Sequence, residues 1–190
     1  MFSPNTADLD YLFDSTSQTV TVNDTERKAI ITNPSISEFD QKYIHSIEQV
    51  IQGDMIALEG ERYLVITESI SKRGGKYKAL MRHCNIEIER QGEEVCETVG
   101  YNDFGDPIVE CTVGDPIFIS AIVDNKSFSI DNSSAIRVPD NQIIVVVQDN
   151  QVNRDKLKVN DTFNFEGNYK VLNRDFTKKG LMILTCEMGV

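Results

Sequence analysis

Gly53-Asp54-Met55-Ile56-Ala57-Leu58-Glu59-Gly60-Glu61-Arg62-Tyr63-Leu64-Val65-Ile66 is the stretch whose reading decides the fold. Ile56 and Leu58 share one face, Met55 and Ala57 the other, because successive strand side chains point to opposite sides. Glu59-Gly60-Glu61 supplies a turn and Tyr63 to Ile66 a returning run, so the stretch reads as a tight β-hairpin. The same grammar returns in the second half of the chain. Asp54 has a counterpart in Asp161, Glu59 in Glu166 and Gly60 in Gly167; Ile56 and Leu58 fall on Phe163 and Phe165. One deletion later Tyr63 meets Tyr169, Val65 meets Val171, and Lys72-Arg73-Gly74 meets Lys178-Lys179-Gly180. The inward alternation keeps its phase, which a one-residue slip would invert. We therefore expect an internal duplication, against the alternative that common turn residues produced two similar hairpins independently.

Working outward, Leu80-Met81 is expected to match Leu181-Met182, and Ala29-Ile30-Ile31 to match Ile143 to Val147. Thr19 to Val22 alternates, Asn23-Asp24 turns, and Arg27 to Thr32 runs on until Asn33-Pro34 ends it, since Pro brings no amide hydrogen to a ladder. Between Ser35 and Gln52, Ile36, Phe39, Tyr43, Ile47, Val50 and Ile51 recur at helical steps; a short amphipathic helix fits, and so does an excursion with one strand, Lys42 to Ser46. A long strand is expected from Lys76 to Ile88. The polar, Glu-rich stretch 91–115 links the halves, with turns at Gln91-Gly92 and Asn102 to Asp106. Asp-Asn pairs beginning at 124, 131, 140 and 149 mark turns between short strands. The expected fold is all-β: two related small barrels or sandwiches, with an N-terminal arm 1–16, a first unit 17–90 carrying the long loop 35–52, the linking segment 91–115, and a second unit 116–190.

In the arm, Leu9, Leu12 and Phe13 share a helical face. With Ile36, Phe39, Tyr43 and Ile47 of the long loop they form the candidate partner contacts. Lys72, Arg73, Lys178 and Lys179 are candidate basic hairpin tips.

The formal net charge of -11 opposes a duplex reader, which gathers Lys and Arg on one face. The longest apolar run is five residues, too short for a membrane span. Met1 to Asp8 lacks the basic start and apolar core of a signal peptide, so we expect an intracellularly made protein. Cys84, Cys96, Cys111 and Cys186 form no C-x-x-C pair, and only two histidines are present. Reduced, buried thiols and no metal site are expected. His83 and Cys84 are strand neighbours and point apart, so they make no nucleophile–base pair. Asn102 to Asp106 lacks the register of a calcium loop, Glu87 and Glu89 define no glycosidase pair, and no phosphate-binding or hydrolase motif occurs. An enzyme is not expected, and no cofactor.

Arg27-Lys28-Ala29-Ile30-Ile31-Thr32-Asn33-Pro34, a polar excursion, then Gly53-Asp54 and Gly60-x-x-Tyr63-Leu64-Val65, resembles the small β-barrel connector proteins of tailed bacteriophages. Val138-Pro139-Asp140-Asn141 through Gly180-Leu181 is similar to the second half of such proteins. These are the head-closure and head–tail joining proteins of phages and prophages of Gram-positive hosts. The resemblance implies a virion neck protein, assembled in the host cytoplasm. It would form a ring of six or twelve copies between portal or adaptor and the tail tube or tail terminator, around passing DNA. Six copies would carry about -66, and a negative lumen would let DNA slide without sticking. The competing expectations are a tail module that recognises carbohydrate, which the absence of Trp weakens, and a single-strand binder, which the acidity opposes.

Overall fold

A computed structural model describes residues 11, 13–35, 39–72, 75–92, 94–125 and 141–189. The described residues form fifteen strands, a helical turn at 13–16 and, between the last groups of strands, a further short helix. The first half contributes β1 Gln18–Val22, β2 Thr25–Thr32, β3 Gln41–Ser46, β4 Met55–Leu58, β5 Glu61–Val65, β6 Ile70–Lys72 and β7 Lys76–His83. All pair antiparallel in the order β3-β2-β1-β4-β5-β7-β6, and β3 also pairs with β7, closing a six-stranded barrel. β6 prolongs β5: both lie along one edge of β7, β5 at residues 81–83 and β6 at 76–78. Closure satisfies the backbone groups that an open edge would leave bare. The interior is packed by Val20, Val22, Ala29, Ile44, Ile56, Leu58, Tyr63, Val65 and Met81.

The second half contributes β8 Ile86–Arg90, β9 Glu94–Tyr101, β10 Pro107–Val113, β11 Ile117–Asn125, β12 Gln142–Gln148, β13 Thr162–Asn164, β14 Asn168–Asp175 and β15 Leu181–Met188, with helix α1 at Gln151–Lys156. Six of these strands form a sheet in the order β13-β14-β15-β12-β11-β8. It is nearly closed. The seam between β8 and β13 is bridged by Arg90, whose guanidinium donates to the carbonyl of Thr162 and lies 3.6 Å from Asp161 Oδ2. Ile88, Ile119, Val145, Val147, Phe163, Val171, Leu184 and Cys186 fill this interior.

Both halves therefore share one circular strand order, with β1, β2, β3, β4, β5–β6 and β7 standing where β8, β11, β12, β13, β14 and β15 stand. The expected hairpin match holds. Ile56 and Leu58 are buried, Phe163 is buried and Phe165 packs on the same core; Tyr63 and Tyr169, Val65 and Val171 are buried in pairs. The two flanking matches are corrected by the ladders. Met81 lies opposite Val65 and Cys186 opposite Val171, so Leu80-Met81 corresponds to Thr185-Cys186 rather than Leu181-Met182. Ala29 in β2 corresponds to Ala121 in β11, while Ile143 to Val147 in β12 answers to β3.

Three other expectations change. Of the two readings of 35–52 the one with a strand holds and the helix does not: Gln41–Ser46 closes the first barrel, with Ile44 and Ser46 facing inward, so the stretch is not one long loop. In the second unit α1 stands between β12 and β13, capped by Asn150, whose side chain accepts from Asn153 N at 2.8 Å. The long strand expected from Lys76 to Ile88 breaks at Cys84-Asn85, and β8 joins the second sheet, which moves the boundary between units from 90 to the break after His83. Finally, 91–115 is a paired hairpin, β9–β10, rather than a plain linker.

Candidate functional site

Where the two barrels meet, the contact is apolar at its centre and polar at its margin. Leu64 points outward from β5 and packs with Cys84, Ile122 and Leu181, flanked by Met55, Ile66 and Val146. Gly53 and Gly180 carry φ of +94° and +82°, and a Cβ on Gly53 would lie 2.0 Å from the Gly180 carbonyl oxygen. Only glycine fits at so close an approach of two backbones. Arg82 forks onto Asp124 across the junction, one of its bonds measuring 2.8 Å.

Beside this contact lies a cleft of about 220 Å³ lined by Asn23, Arg62, Phe118, Ser120, Gln148 and Asn153 among others. Its amides bond one another. Asn23 Nδ2 donates to Asp54 Oδ1 at 2.7 Å, Gln148 Nε2 to Asn23 Oδ1 at 2.9 Å, and Asn150 Nδ2 to Gln148 Oε1 at 3.0 Å. A network whose members satisfy one another fixes two barrels in register. His83 Nε2 meets Glu61 Oε2 at 2.9 Å, whereas the Cys84 thiol lies 4.0 Å from the Met55 sulfur. His83 and Cys84 therefore face different partners, and burial pushes the Cys84 thiol up to about 12. Cys186 is raised to about 12 for the same reason.

The cysteine expectation holds for these two and fails for the others. Cys96 and Cys111 face each other across β9–β10 and are joined in a disulfide on the exposed hairpin. The pair was nearly legible: Cys96 stands six residues before the turn at Asn102 to Asp106 and Cys111 five after it, a difference absorbed by the register shift between Ile108 and Val109. Glu94 sits beside them.

This hairpin is the most prominent surface feature. Among the described residues β9 and β10 pair only with each other. Val95, Val99, Tyr101, Phe104, Ile108, Val109 and Val113 are all exposed on it, seven of the seventeen exposed large apolar side chains among the described residues, with Phe104 at the tip 92% exposed. Its base is held. A Cβ on Gly92 would lie 2.3 Å from the Asp115 carbonyl oxygen, and Lys156 Nζ donates to the carbonyls of Gln91 at 2.9 Å and Gly92 at 3.2 Å. The result is an apolar arm on a fixed footing.

The sequence-predicted contact residues do not form one patch. Leu9, Leu12, Ile36 and Arg73 lie outside the described residues. Phe13 is a correction: it is buried, with Lys76 Nζ 4.9 Å above its ring, so it docks the arm on its own body instead of offering a contact. Phe39 is part-exposed under the Arg82 guanidinium at 3.9 Å, Tyr43 lies under Lys78 at 3.6 Å, and Ile47 is exposed in the connection after β3. Lys72 ends β6, while Lys178 and Lys179 stand on the equivalent turn before β15.

No curated protein and no solved structure matches the chain. No helix among the described residues is long and apolar enough to cross a membrane. Residues 1–83 match the YomX N-terminal domain and residues 83–187 the YomX C-terminal domain, so the division between family domains falls where β7 ends and the second barrel begins. The chain belongs to the YomX family, a phage-encoded protein family.

Proposed function

We propose that this chain is a non-enzymatic structural protein of the phage particle. It is a ring-forming subunit of the neck that joins the DNA-filled head to the tail and helps close or gate the channel. The observation that carries the reading is the β9–β10 arm. A two-stranded ribbon is marginal in water by itself, and this one keeps seven apolar side chains exposed on a clamped base. Such a device gains stability only when another surface covers it. A closed and a nearly closed barrel supply the rigid body behind it, and the net charge of -11 favours a channel wall that does not hold phosphate. The ring's other faces would meet portal or adaptor above and tail tube or terminator below.

Labelled antibody on intact particles, viewed by electron microscopy, should mark the head–tail junction. Particles made without the protein should yield filled heads and separate tails. Label at the tail tip, or absence from purified particles, would overturn the reading. One observation favours a second reading, a tail module for carbohydrate: Tyr101 and Phe104 stand exposed near the arm tip, and aromatic rings stack on sugar faces. Glycan-array binding lost on Phe104→Ala would select it.

A further inference from the structure

The β9–β10 arm carries acid as well as apolar surface, and nothing on it balances that charge. Between Gln91 and Asn125 there is no Lys or Arg. Glu97 lies directly opposite Glu110 in the ladder, on the face that also carries Val95 and Thr112. Like charges opposite one another weaken a strand pair. A ribbon already short of partners would shed this arrangement unless a cation from outside sits between the two carboxylates.

The first barrel offers that cation. On the outer side of β2, β3 and β7, two rows of side chains cross the strands: Ile30, His45 and Lys78 in one, Thr32, Tyr43 and Leu80 in the other. Neither row contains a carboxylate. Lys28 at the margin is paired with Asp14 at 3.0 Å and Arg82 with Asp124, whereas Lys78 makes no ion pair among the described residues and lies over the Tyr43 ring. Every strand edge here is already paired, so whatever docks must do so face to face through side chains.

We propose that the Glu97–Glu110 face of the arm docks on the Lys78–Tyr43 face of a second copy of this chain. Lys78 enters between the two carboxylates, and Val95 and Ile108 cover Leu80 and Ile30. The two patches differ, so the contact is head-to-tail and propagates from copy to copy until rotation closes a ring. The inference rests on the ring reading and names the surfaces that build it. Local pairing of opposite charge also gives these acidic copies a reason to associate despite their mutual repulsion.

Sedimentation of the purified full-length chain across a concentration series tests it. Glu97→Lys with Glu110→Lys should weaken association about tenfold or more, Lys78→Glu likewise, and the combined variant should recover most of the loss. Circular dichroism confirms that each variant keeps its strands. A photo-reactive phenylalanine at Thr112 should capture the peptide carrying Lys78 from another copy. A chain that stays monomeric throughout overturns ring and docking together. Association unchanged by either reversal, or capture at another surface, overturns the docking alone. A duplex DNA probe bound through Lys78, with self-association unaffected by Lys78→Glu, assigns the face to nucleic acid and overturns the inference too.

Discussion

Gly53 and Gly60 both sit at positive φ, yet they bear different loads, and substitution separates them. At Gly60 a Cβ would meet nothing within 4 Å, so Gly60→Ala should cost only the left-handed backbone strain, about 1–2 kcal/mol. At Gly53 the same strain is joined by a collision with the Gly180 backbone, which neither turn can relieve without parting the barrels. Gly53→Ala should therefore lower the urea midpoint further than Gly60→Ala, and equal midpoints would deny the close approach. The buried thiols give a second residue-scale expectation. Cys84 and Cys186 titrate near 9.0 when unfolded and at about 12 in the fold, because burial disfavours the thiolate. Their folded pKa values are raised, so their contribution to stability is complete below pH 9 and is lost as the pH rises from there toward 12. Denaturant midpoints should fall across that alkaline window. At pH 8 neither thiol should react with a thiol reagent until the chain is unfolded, and prompt labelling of the native protein would contradict their burial.

Among the elements, the arm and the seam make opposite predictions. The Cys96–Cys111 bond closes a loop within β9–β10 alone, and that ribbon packs on neither barrel core. Reduction should leave the global unfolding midpoint unchanged while opening residues 94–113 to protease, as a ribbon held by few buried contacts must. A large fall in the global midpoint would mean the arm belongs to the folded core. Arg90 does the reverse, since it spans the gap between β8 and β13 where no ladder runs. Arg90→Ala should cost about 1–2 kcal/mol and speed amide exchange in β13 while leaving the first barrel untouched. These elements also mark where sequence stops being sufficient. The hairpins β4–β5 and β13–β14 were legible because turn residues and period-two burial agree locally. β3 was only one of two readings because Phe39, Tyr43 and Ile47 fall at helical spacing, and only pairing with β2 and β7 decides for strand. The break at Cys84-Asn85 was invisible for the same reason: β7 and β8 read as one long strand until different partners claim them. The acidic–apolar arm was legible as Glu-rich sequence, but its isolation from both barrels is a property of topology and has no local signature.

For the whole molecule, the question is whether two similar barrels behave as one body. Each has its own closed or nearly closed core, which favours independent folding. Against this stands the junction. Leu64 is fully buried although it points out of its own barrel, and Ile122 and Leu181 meet it from the other side. Separate barrels would put all three into water, together with the unpaired Arg82 and Asp124. Burying an aliphatic side chain stabilises by roughly 1.5–3 kcal/mol. Several such groups therefore amount to a large share of the stability ordinary for a domain of this size. The barrels should then unfold in one transition, with tyrosine fluorescence and far-ultraviolet dichroism superimposed. Leu64→Ala leaves a cavity at the junction and should lower overall stability by about 2–5 kcal/mol. If coupling is strong, that loss appears as a single, shifted transition. If it is weak, Leu64→Ala splits the curve in two, with the first barrel melting earlier. Residues 1–83 expressed alone decide between these cases independently, because an uncoupled first barrel keeps its native dichroism, whereas a coupled one, with Leu64, Met55 and Ile66 laid bare, should self-associate or unfold.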